Sequence, residues 1–438
     1  MRSVIAFIVA LACAGAARAR AQEPLRLTAA EAVALGLDAS HRLAEARARG
    51  EAAEAVAGQR RAAGLPQVAA QAGYMRTNHV DTFGILLPND QLRVIYPDIP
   101  DNYRARLDLQ WPIYTGGRVN ALERAARAEA AASAGDLAAA RADLRLEITR
   151  AYWALVTATE SLRVLDESVK QVQAHLADVR NRFDAGLVPP NDVSSVEAQE
   201  SRERLLRIQA QTTREVVEDE LARLVGAPPG TSIDAISPLE PPAPVTTPVP
   251  ALIEQARGAR GERAALVSRA AAASDRTAAA AGGSRPTVAV GGGVDYARPN
   301  PRIFPRALQW NSSWDASVSV SWPIFDGGRS RAERAEASAS ARAAGERLAQ
   351  FDESLALEVR QRRAELGSSR AAIEAADDAV RAATEARRVV GDRFDAGVAT
   401  STDVLDAQVA LLQAELDRTQ ALAAARIAEA RLARALGR

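Results

Sequence analysis

Two segments of the chain alternate apolar and polar residues with a period of two. In residues 313–325 apolar side chains occupy every second position: Trp314, Ala316, Val318, Val320, Trp322 and Ile324. Residues 104–114 alternate in the same way, and apolar residues in phase also mark residues 67–76 and 287–296. Because side chains of a β-strand point to opposite faces at this period, the pattern predicts four strands, each with one apolar and one polar face.

The length and the number of these strands leave two interpretations open. Strands of about 9–11 residues cross a hydrocarbon core when they are tilted, but a small soluble sheet packed on helices has the same pattern. Membrane barrels begin at about eight strands, and an open sheet in lipid leaves its edges unpaired. If the four strands cross a membrane, several copies of the chain are therefore needed to close the sheet.

A helical pattern with a period of 3.5 residues follows each strand pair. Between residues 144 and 183 the apolar positions are spaced alternately by four and three residues, and residues 355–394 keep this seam with interruptions at Arg362, Ser369 and Arg387. A sustained heptad seam is typical of helices that pack lengthwise. A helix over residues 118–185 would be about 100 Å long at 1.5 Å per residue.

A short turn is predicted at the end of each long helix. Gly186 and Gly397 suit the left-handed position that stops a helix, and Asn191 and Thr402 are the predicted N-caps of a returning helix. The sequence therefore predicts two antiparallel helical hairpins with tips at residues 186–191 and 397–402.

The chain contains an internal duplication. Residues 111–118 (WPIYTGGR) return 211 residues later as 322–329 (WPIFDGGR), and residues 182–186 (RFDAG) return at the same offset. We predict a first helix–strand–strand–helix–helix repeat over residues 22–225 and a second over residues 251–438. The proline-rich residues 226–250 are the predicted linker, because proline stops both helices and strand ladders.

The N-terminus has the features of an export signal. Arg2 precedes an apolar run that ends in a small-x-small site at Ala21, which predicts a signal peptide over residues 1–21. Cys13, the only cysteine, leaves a lipoprotein signal open as the alternative. No later run of about 20 apolar residues predicts a membrane-spanning helix.

Composition and motifs exclude several classes of function. The chain has 55 basic and 55 acidic residues, which gives no indication of nucleic-acid binding. The three histidines, His41, His79 and His175, lack the spacing of metal ligands, and neither a Gly-x-Ser-x-Gly nor a phosphate-loop motif is present. We predict that the protein is not an enzyme and has no metal site and no cofactor.

With the duplication, the tip turns and the Trp-Pro-Ile-x-x-Gly-Gly-Arg blocks in place, the sequence resembles the outer membrane efflux protein (TolC-like) family. The resemblance implies a mainly α-helical protein with membrane β-strands, in which a homotrimer closes a twelve-stranded β-barrel continuous with a long periplasmic α-helical barrel. It implies the Gram-negative outer membrane as location, with a large periplasmic part. A periplasmic adaptor (membrane fusion) protein, an inner-membrane transporter and outer-membrane lipid are the implied partners, in small-molecule efflux or type I secretion. The alternative is a soluble periplasmic coiled-coil scaffold.

The resemblance also assigns roles to individual residues. It implies strand-to-helix swivels at Pro66, Pro112, Pro286 and Pro323. It implies adaptor-docking tips at Gly186, Leu187, Gly397 and Val398. It implies a channel constriction at Asp403 and Asp406, with Asp192 as a second candidate acidic tip position and Ala399 where some relatives carry a basic residue. An acidic residue in a first helical turn also complements the helix dipole, so a purely structural role for Asp403 stays open.

Overall fold

The structure, a computed structural model, describes residues 24–438. The predicted signal peptide and Cys13 lie outside the described residues. The helices are α1 (Ala29–Ala39), α2 (His41–Ala62), α3 (Arg118–Asp184), α4 (Pro190–Val225), α5 (Val249–Ala259), α6 (Gly261–Gly282), α7 (Arg329–Asp395) and α8 (Ser401–Ala435). The strands are β1 (Leu25–Leu27), β2 (Gln67–Arg76), β3 (Phe83–Leu86), β4 (Leu92–Tyr96), β5 (Asp101–Tyr114), β6 (Ile233–Ala235), β7 (Thr287–Arg298) and β8 (Asn311–Ser321).

Four long strands form one antiparallel sheet in the order β2-β5-β7-β8. The register pairs Val68 with Leu109, Leu107 with Val294, and Val294 with Trp314. Directly paired residues of a sheet share a face, so the apolar positions of all four strands lie on the same side. The two sequence repeats meet in the middle of this sheet, where β5 pairs with β7.

Four of the eight boundaries of the long strands differ from the sequence prediction, and two of these differences are small: β7 ends at Arg298 rather than at residue 296, and β8 begins at Asn311 rather than at residue 313. The last strand was expected to reach Phe325, but β8 ends at Ser321. Pro323 follows two residues later and has no backbone N–H to donate to a ladder. Strand β5 begins at Asp101, three residues before the predicted start, because residues 101–103 pair with the end of β2.

Two small sheets were not predicted. Strands β3 and β4 form a hairpin inside the long segment between β2 and β5. Strands β1 and β6 pair in parallel, with Leu25 opposite Ile233. Strand β6 thus lies within the predicted proline-rich linker. The linker can form it there because Ile233–Ala235 lie between two groups of prolines.

The tips of the two helical hairpins differ from the predicted capping pattern. The predicted N-caps Asn191 and Thr402 are wrong: helix α4 starts after Pro189 and helix α8 starts after Thr400. Pro190 occupies the first position of α4, where its missing N–H has no helical partner to lose. Thr400 forms a capping box with Asp403, which satisfies two backbone N–H groups at the start of α8.

The chain divides into two compact units, each of which draws on both sequence repeats. Of the described residues, one unit contains 24–46, Leu137–Gly261 and Asp352–Arg438. Its core is built on the seam of α3, where Ile148, Tyr152 and Leu155 are buried. The Tyr152 hydroxyl donates to the Leu27 carbonyl at 3.0 Å and accepts from the Ser237 N–H at 2.9 Å, so one buried side chain anchors both segments that flank the β1–β6 pair.

The second unit contains Arg47–Asp136 and Glu262–Phe351. It holds the four-stranded sheet and the helical segments that lead into and out of it. Ion pairs join α3 to α6 in this unit, including Arg124 to Asp275 at 2.8 Å and Arg276 to Glu129 at 2.8 Å. These bridges hold the helix that leaves β5 beside the helix that enters β7.

Candidate functional site

One face of the four-stranded sheet is apolar and unusually exposed. Trp314, Val318 and Val320 have 73%, 71% and 69% of their surface accessible, and apolar residues of the other strands continue the same face. These are Val68, Tyr74, Leu107, Leu109, Trp111, Val294 and Tyr296. Soluble proteins rarely expose a contiguous apolar patch of this extent. The face has the surface chemistry of a protein wall in contact with acyl chains.

Aromatic residues mark both ends of this apolar face. At the end near the strand connections, the rings of Tyr74 and Tyr103 lie 5.0 Å apart, and Trp310 stacks on Tyr296 at 4.9 Å. Trp111 lies eight residues along β5 from Tyr103, a rise of about 26 Å at 3.3 Å per residue. Membrane barrels carry such aromatic girdles on either side of an apolar band about 25 Å tall.

The opposite face of the sheet is polar and carries a network of charges. Arg104 and Arg106 of β5 both hydrogen-bond to Asp295 of β7, whose side chain is buried beneath them. Arg106 also reaches Asp315 of β8 at 3.0 Å and Asp108 at 2.6 Å. Opposite charges therefore bridge three neighbouring strands, as expected of a face turned toward water rather than toward lipid.

The two outer strands of the sheet are open. Within residues 24–438, β2 pairs only with β5 and β8 pairs only with β7, so each leaves one edge unpaired. Unpaired N–H and C=O groups in a hydrocarbon environment cost several kcal/mol each. The sheet is therefore incomplete as a membrane structure until other strands cover these edges.

The two hairpin tips share one turn geometry. Gly186 and Gly397 have φ values of 74° and 73°, the left-handed conformation that glycine adopts without strain. The next residue's N–H returns to the helix in both tips, from Leu187 to the Arg182 carbonyl at 2.8 Å and from Val398 to the Arg393 carbonyl at 2.9 Å. Leu187 and Val398 are 73% and 64% exposed, so each tip presents an apolar side chain to solvent.

Asp403 and Asp406 occupy one exposed side of α8, one turn apart. The Asp403 carboxylate accepts hydrogen bonds from the N–H and the hydroxyl of Thr400, both at 2.8 Å, and the backbone bond followed by the hydroxyl bond lowers the pKa of Asp403. Asp406 has no hydrogen-bond partner among the described side chains, and it lines a cleft between α4 and α8. Asp403 thus has a structural role as part of the capping box of α8, whereas no hydrogen bond in the described part of the chain gives Asp406 a role of this kind.

The equivalent aspartate of the first tip, Asp192, lies in the first turn of α4 and contacts the Asn191 amide at 3.0 Å. In the first tip, Ser195 occupies the position that corresponds to Asp406. The Ser195 hydroxyl donates to the Asn191 carbonyl at 2.9 Å. At these positions the first tip therefore carries one half-buried carboxylate, whereas the second carries two exposed ones.

Arg182 joins the two hairpin tips, a feature that sequence reasoning missed. Its guanidinium lies over the Phe394 ring at 4.1 Å, donates to the Phe394 carbonyl at 3.0 Å and pairs with Asp395 at 2.9 Å. Asp178, one turn earlier on α3, holds the same guanidinium at 3.0 Å. The i, i+4 spacing of Asp178 and Arg182 was the only sequence signal of this arrangement.

A buried histidine contacts the first residue of α8. The His175 Nε2 lies 3.0 Å from the Ser401 hydroxyl, and its ring packs edge-on against Phe394 at 5.2 Å. Burial lowers the pKa of His175, because an imidazolium among apolar side chains loses its hydration. His175 therefore joins α3 to the start of α8 in its neutral form.

The four prolines predicted as swivels lie at the ends of the long strands. Pro66 and Pro286 immediately precede β2 and β7. Pro112 lies inside β5, next to a break in register between Pro112 and Tyr114, and Pro323 lies between β8 and α7. A missing N–H and an extra residue both loosen a ladder.

No helix within residues 24–438 is long and apolar enough to cross a membrane. Over the same residues, no group of three or more histidine, cysteine, aspartate or glutamate side chains is arranged to hold a metal ion.

The fold is that of solved outer membrane channels. The structure superposes on the Campylobacter jejuni CmeC outer membrane channel with a TM-score of 0.77, at 17% identity over 93% of this chain and 85% of that one. The chain itself belongs to the outer membrane efflux protein family, which matches residues 33–227 and 252–438. The resemblance predicted from the sequence and the predicted outer-membrane location are confirmed by this membership.

Two named relatives show similarity over most of this chain. The fusaric acid resistance protein FusA of Burkholderia cepacia is 30% identical over 79% of this chain and 62% of its own length. Protein CyaE of Bordetella pertussis is 27% identical over 68% of this chain and 60% of its own length. The matches thus span less than two thirds of each of these relatives.

Proposed function

We propose that the protein is one protomer of a homotrimeric outer-membrane channel that conducts substrate passively to the cell exterior. Three copies of the four-stranded sheet supply the strands of a twelve-stranded barrel. The long helical hairpins continue this barrel as a periplasmic tunnel. The channel has no catalytic centre, and its work is to hold a water-filled path open or closed.

The four-stranded sheet is the observation that carries this proposal. Its apolar face is exposed, its polar face carries bridged charges, and both of its edges are open. An apolar face toward lipid, a polar face toward water and an edge that needs a partner are all satisfied together when sheets of neighbouring copies pair edge to edge into a closed barrel.

We further propose that the channel is the exit of a tripartite system. The exposed apolar tip residues, Leu187 and Val398, dock a periplasmic adaptor (membrane fusion) protein, which connects the tunnel to an inner-membrane transporter. Efflux of small molecules is the favoured use, because the relative FusA is a fusaric acid resistance protein. Type I secretion is the second candidate use of the same exit.

The closed state of the tunnel is proposed to lie at the hairpin tips. In a trimer, three copies each of Asp403 and Asp406 converge as acidic rings and favour cations. The hairpins splay apart to open the tunnel, and the prolines that flank the strands (Pro66, Pro112, Pro286 and Pro323) act as swivels between barrel and tunnel.

A pair of neighbouring substitutions tests the lipid-facing assignment. Val318→Arg places a charge on the apolar face, where it costs about 2–4 kcal/mol near the bilayer midplane, and we expect the variant to be lost from the outer membrane. Ser319→Arg, one residue further on the polar face, is expected to insert normally. Outer-membrane fractionation followed by light scattering of detergent-extracted protein measures both.

The unsubstituted protein is expected to need detergent, to have the mass of a trimer, and to form pores in planar bilayers. A monomer that stays in aqueous buffer would instead support the soluble scaffold. Equal membrane recovery of the two arginine variants would remove the assignment of the sheet faces.

A further inference from the structure

Two surface loops expose large apolar side chains at the end of the sheet where β2 ends and β8 begins. The first loop, residues 77–100, contains the β3–β4 hairpin, and Val80, Phe83 and Leu86 are 44%, 65% and 65% exposed. The second loop, residues 299–310, exposes Phe304 and Leu308 at 69% and 56%. An isolated two-stranded hairpin is marginal in water, so these side chains indicate a surface that is covered in the assembly.

The topology decides which loops become neighbours when sheets pair edge to edge. In the order β2-β5-β7-β8 the open edges are β2 and β8. Closure therefore places β8 of one copy against β2 of the next, antiparallel like the pairs within the chain. The chain leaves β2 into the first loop and enters β8 from the second loop. The end of the second loop thus meets the start of the first loop of the neighbouring copy.

The contact inside one chain shows that these loops are long enough to touch. At the β5–β7 junction, the Arg306 guanidinium of the second loop donates to the Tyr96 hydroxyl of the first at 3.0 Å and lies 5.0 Å from its ring. At this junction, the last residues of the first loop, which precede β5, contact the second loop of the same chain. By chain order, the junction between copies joins the remaining ends of the loops, the first residues after β2, which include Val80, and the last residues before β8, which include Leu308.

The first of these segments is held in place within its own chain. The Val80 N–H donates to the Asp98 carboxylate at 3.1 Å, and the His79 Nδ1 lies 2.6 Å from the same carboxylate. The start of the loop is therefore tied to its end, next to β5. These bonds hold Val80 at a defined position near the end of β2 rather than on a free strand.

We propose that the second loop of each copy docks on the first loop of its neighbour, with Leu308 of one copy against Val80 and Phe83 of the next. Repeated around the ring, this contact forms an apolar collar that holds the protomers together at the mouth of the barrel. The inference rests on the proposed trimer and adds to it a specific interface outside the strands.

Disulfide trapping tests the collar. The chain has one cysteine, Cys13, and every variant replaces it with serine. The double variant Val80→Cys with Leu308→Cys is expected to give covalent trimers on mild oxidation of the detergent-solubilised protein, because each copy then bonds to the next around the ring. The single variants Val80→Cys and Leu308→Cys are matched controls and are expected to stay non-covalent, since equivalent positions do not meet in a closed ring.

Light scattering before oxidation separates the two levels of the inference. A monomer at that stage overturns the trimer and the proposed channel. A trimer whose double-cysteine variant yields no covalent species, as lipid-facing loops would give, overturns the collar alone.

A second measurement avoids dependence on disulfide geometry. Phe83→Ser with Leu308→Ser is expected to lower the temperature at which the trimer dissociates in detergent, whereas Gln91→Ser with Gln309→Ser, which alters two exposed polar residues of the same loops, is expected to leave it unchanged. Equal dissociation temperatures for the two variants contradict the collar.

Discussion

At the scale of single residues, the acidic pair on α8 divides into two chemically different carboxylates. Asp403 is used by the capping box of its own helix, which holds it beside Thr400. Asp406 is exposed and has no hydrogen-bond partner among the described side chains, so its charge is free to act on ions. The same three-residue step in the first tip ends in Ser195, which shows that helix initiation does not require the second carboxylate.

Replacing Asp406 with asparagine should therefore reduce cation preference without loosening the helix. One carboxylate contributes about 1 kcal/mol to an ion at 4 Å in water, which is about fivefold, so loss of the ring should lower the cation-to-anion permeability ratio at least several-fold. Reversal potentials in planar bilayers under a salt gradient measure the ratio.

Asp403→Asn is expected to reduce the permeability ratio and also to destabilise the start of α8 by about 0.3–1 kcal/mol, because the neutral amide no longer complements the helix dipole. Asp192→Asn, at the equivalent position of the other tip, is the control. It removes one charge from a tip without changing the proposed constriction at Asp403 and Asp406. Unchanged selectivity in Asp406→Asn would remove this residue from the constriction.

If the tunnel closes at the hairpin tips as proposed, His175 should make the closed tip sensitive to pH. Burial lowers the pKa of His175, so the solvated imidazole of an opened tip binds a proton more readily than the buried one. The contribution of His175 to the closed state is then complete above the ordinary pKa of about 6.5 and declines as the pH falls below it. The carboxylates of Asp178 and Asp395 oppose this effect in part, and the guanidinium of Arg182 adds to it.

We expect more frequent opening at pH 5.5 than at pH 7.5, and His175→Gln, which keeps a hydrogen-bonding side chain but does not titrate, should reduce the difference. Single-channel recordings at the two pH values test both forms. Because the acidic residues titrate in both proteins, an identical pH response would show that His175 has no part in it.

At the scale of elements, Arg182 ties the first hairpin to the second through contacts made at the tips. Two hydrogen bonds and a stacked ring join the end of α3 to the end of α7. The proposed splaying of the hairpins would have to break these contacts. The residue at the same place in the second repeat, Arg393, makes no side-chain hydrogen bond or ion pair within residues 24–438, although it belongs to the same Arg-Phe-Asp-Ala-Gly sequence.

Arg182→Gln should therefore favour the open tunnel. Charge-assisted hydrogen bonds contribute about 1.5–3 kcal/mol, and the exposure of Asp395 reduces this to about 1–2 kcal/mol, which corresponds to a shift of about 5-fold to 30-fold in the opening equilibrium. Mean conductance of single trimers measures the shift. Arg393→Gln is the matched control, and an equal increase in both variants would argue against a specific link.

The sequence predicted the elements better than their contacts. Period-two alternation located the four long strands because one face of each is apolar, and glycine located the tips because both turns need a positive φ. The β3–β4 hairpin was missed because its residues, apart from Arg93, do not alternate between apolar and polar. The Arg182 contacts were missed because they join residues about 210 positions apart, a distance over which no local pattern carries information.

At the scale of the whole molecule, helix α4 exposes an apolar side that no element of the described chain covers. Leu205, Ile208 and Val216 are 55%, 53% and 61% exposed, and their spacing places them on one side of the helix. Burial of one such side chain contributes about 1.5–3 kcal/mol. The proposed trimer offers a cover, because the tunnel wall needs helices of neighbouring copies to pack side by side.

If α4 packs on a neighbour, Ile208→Ser should weaken the trimer, and the loss occurs once in each of three interfaces. Gln209→Ser, next in sequence and equally open to solvent in one chain, should have little effect because it removes no apolar surface. Dissociation of the detergent-solubilised trimer on heating, followed by gel mobility, compares the two. A trimer that dissociates at the same temperature in both variants would place the apolar side of α4 outside the protomer interface, where an adaptor rather than a second copy would have to cover it.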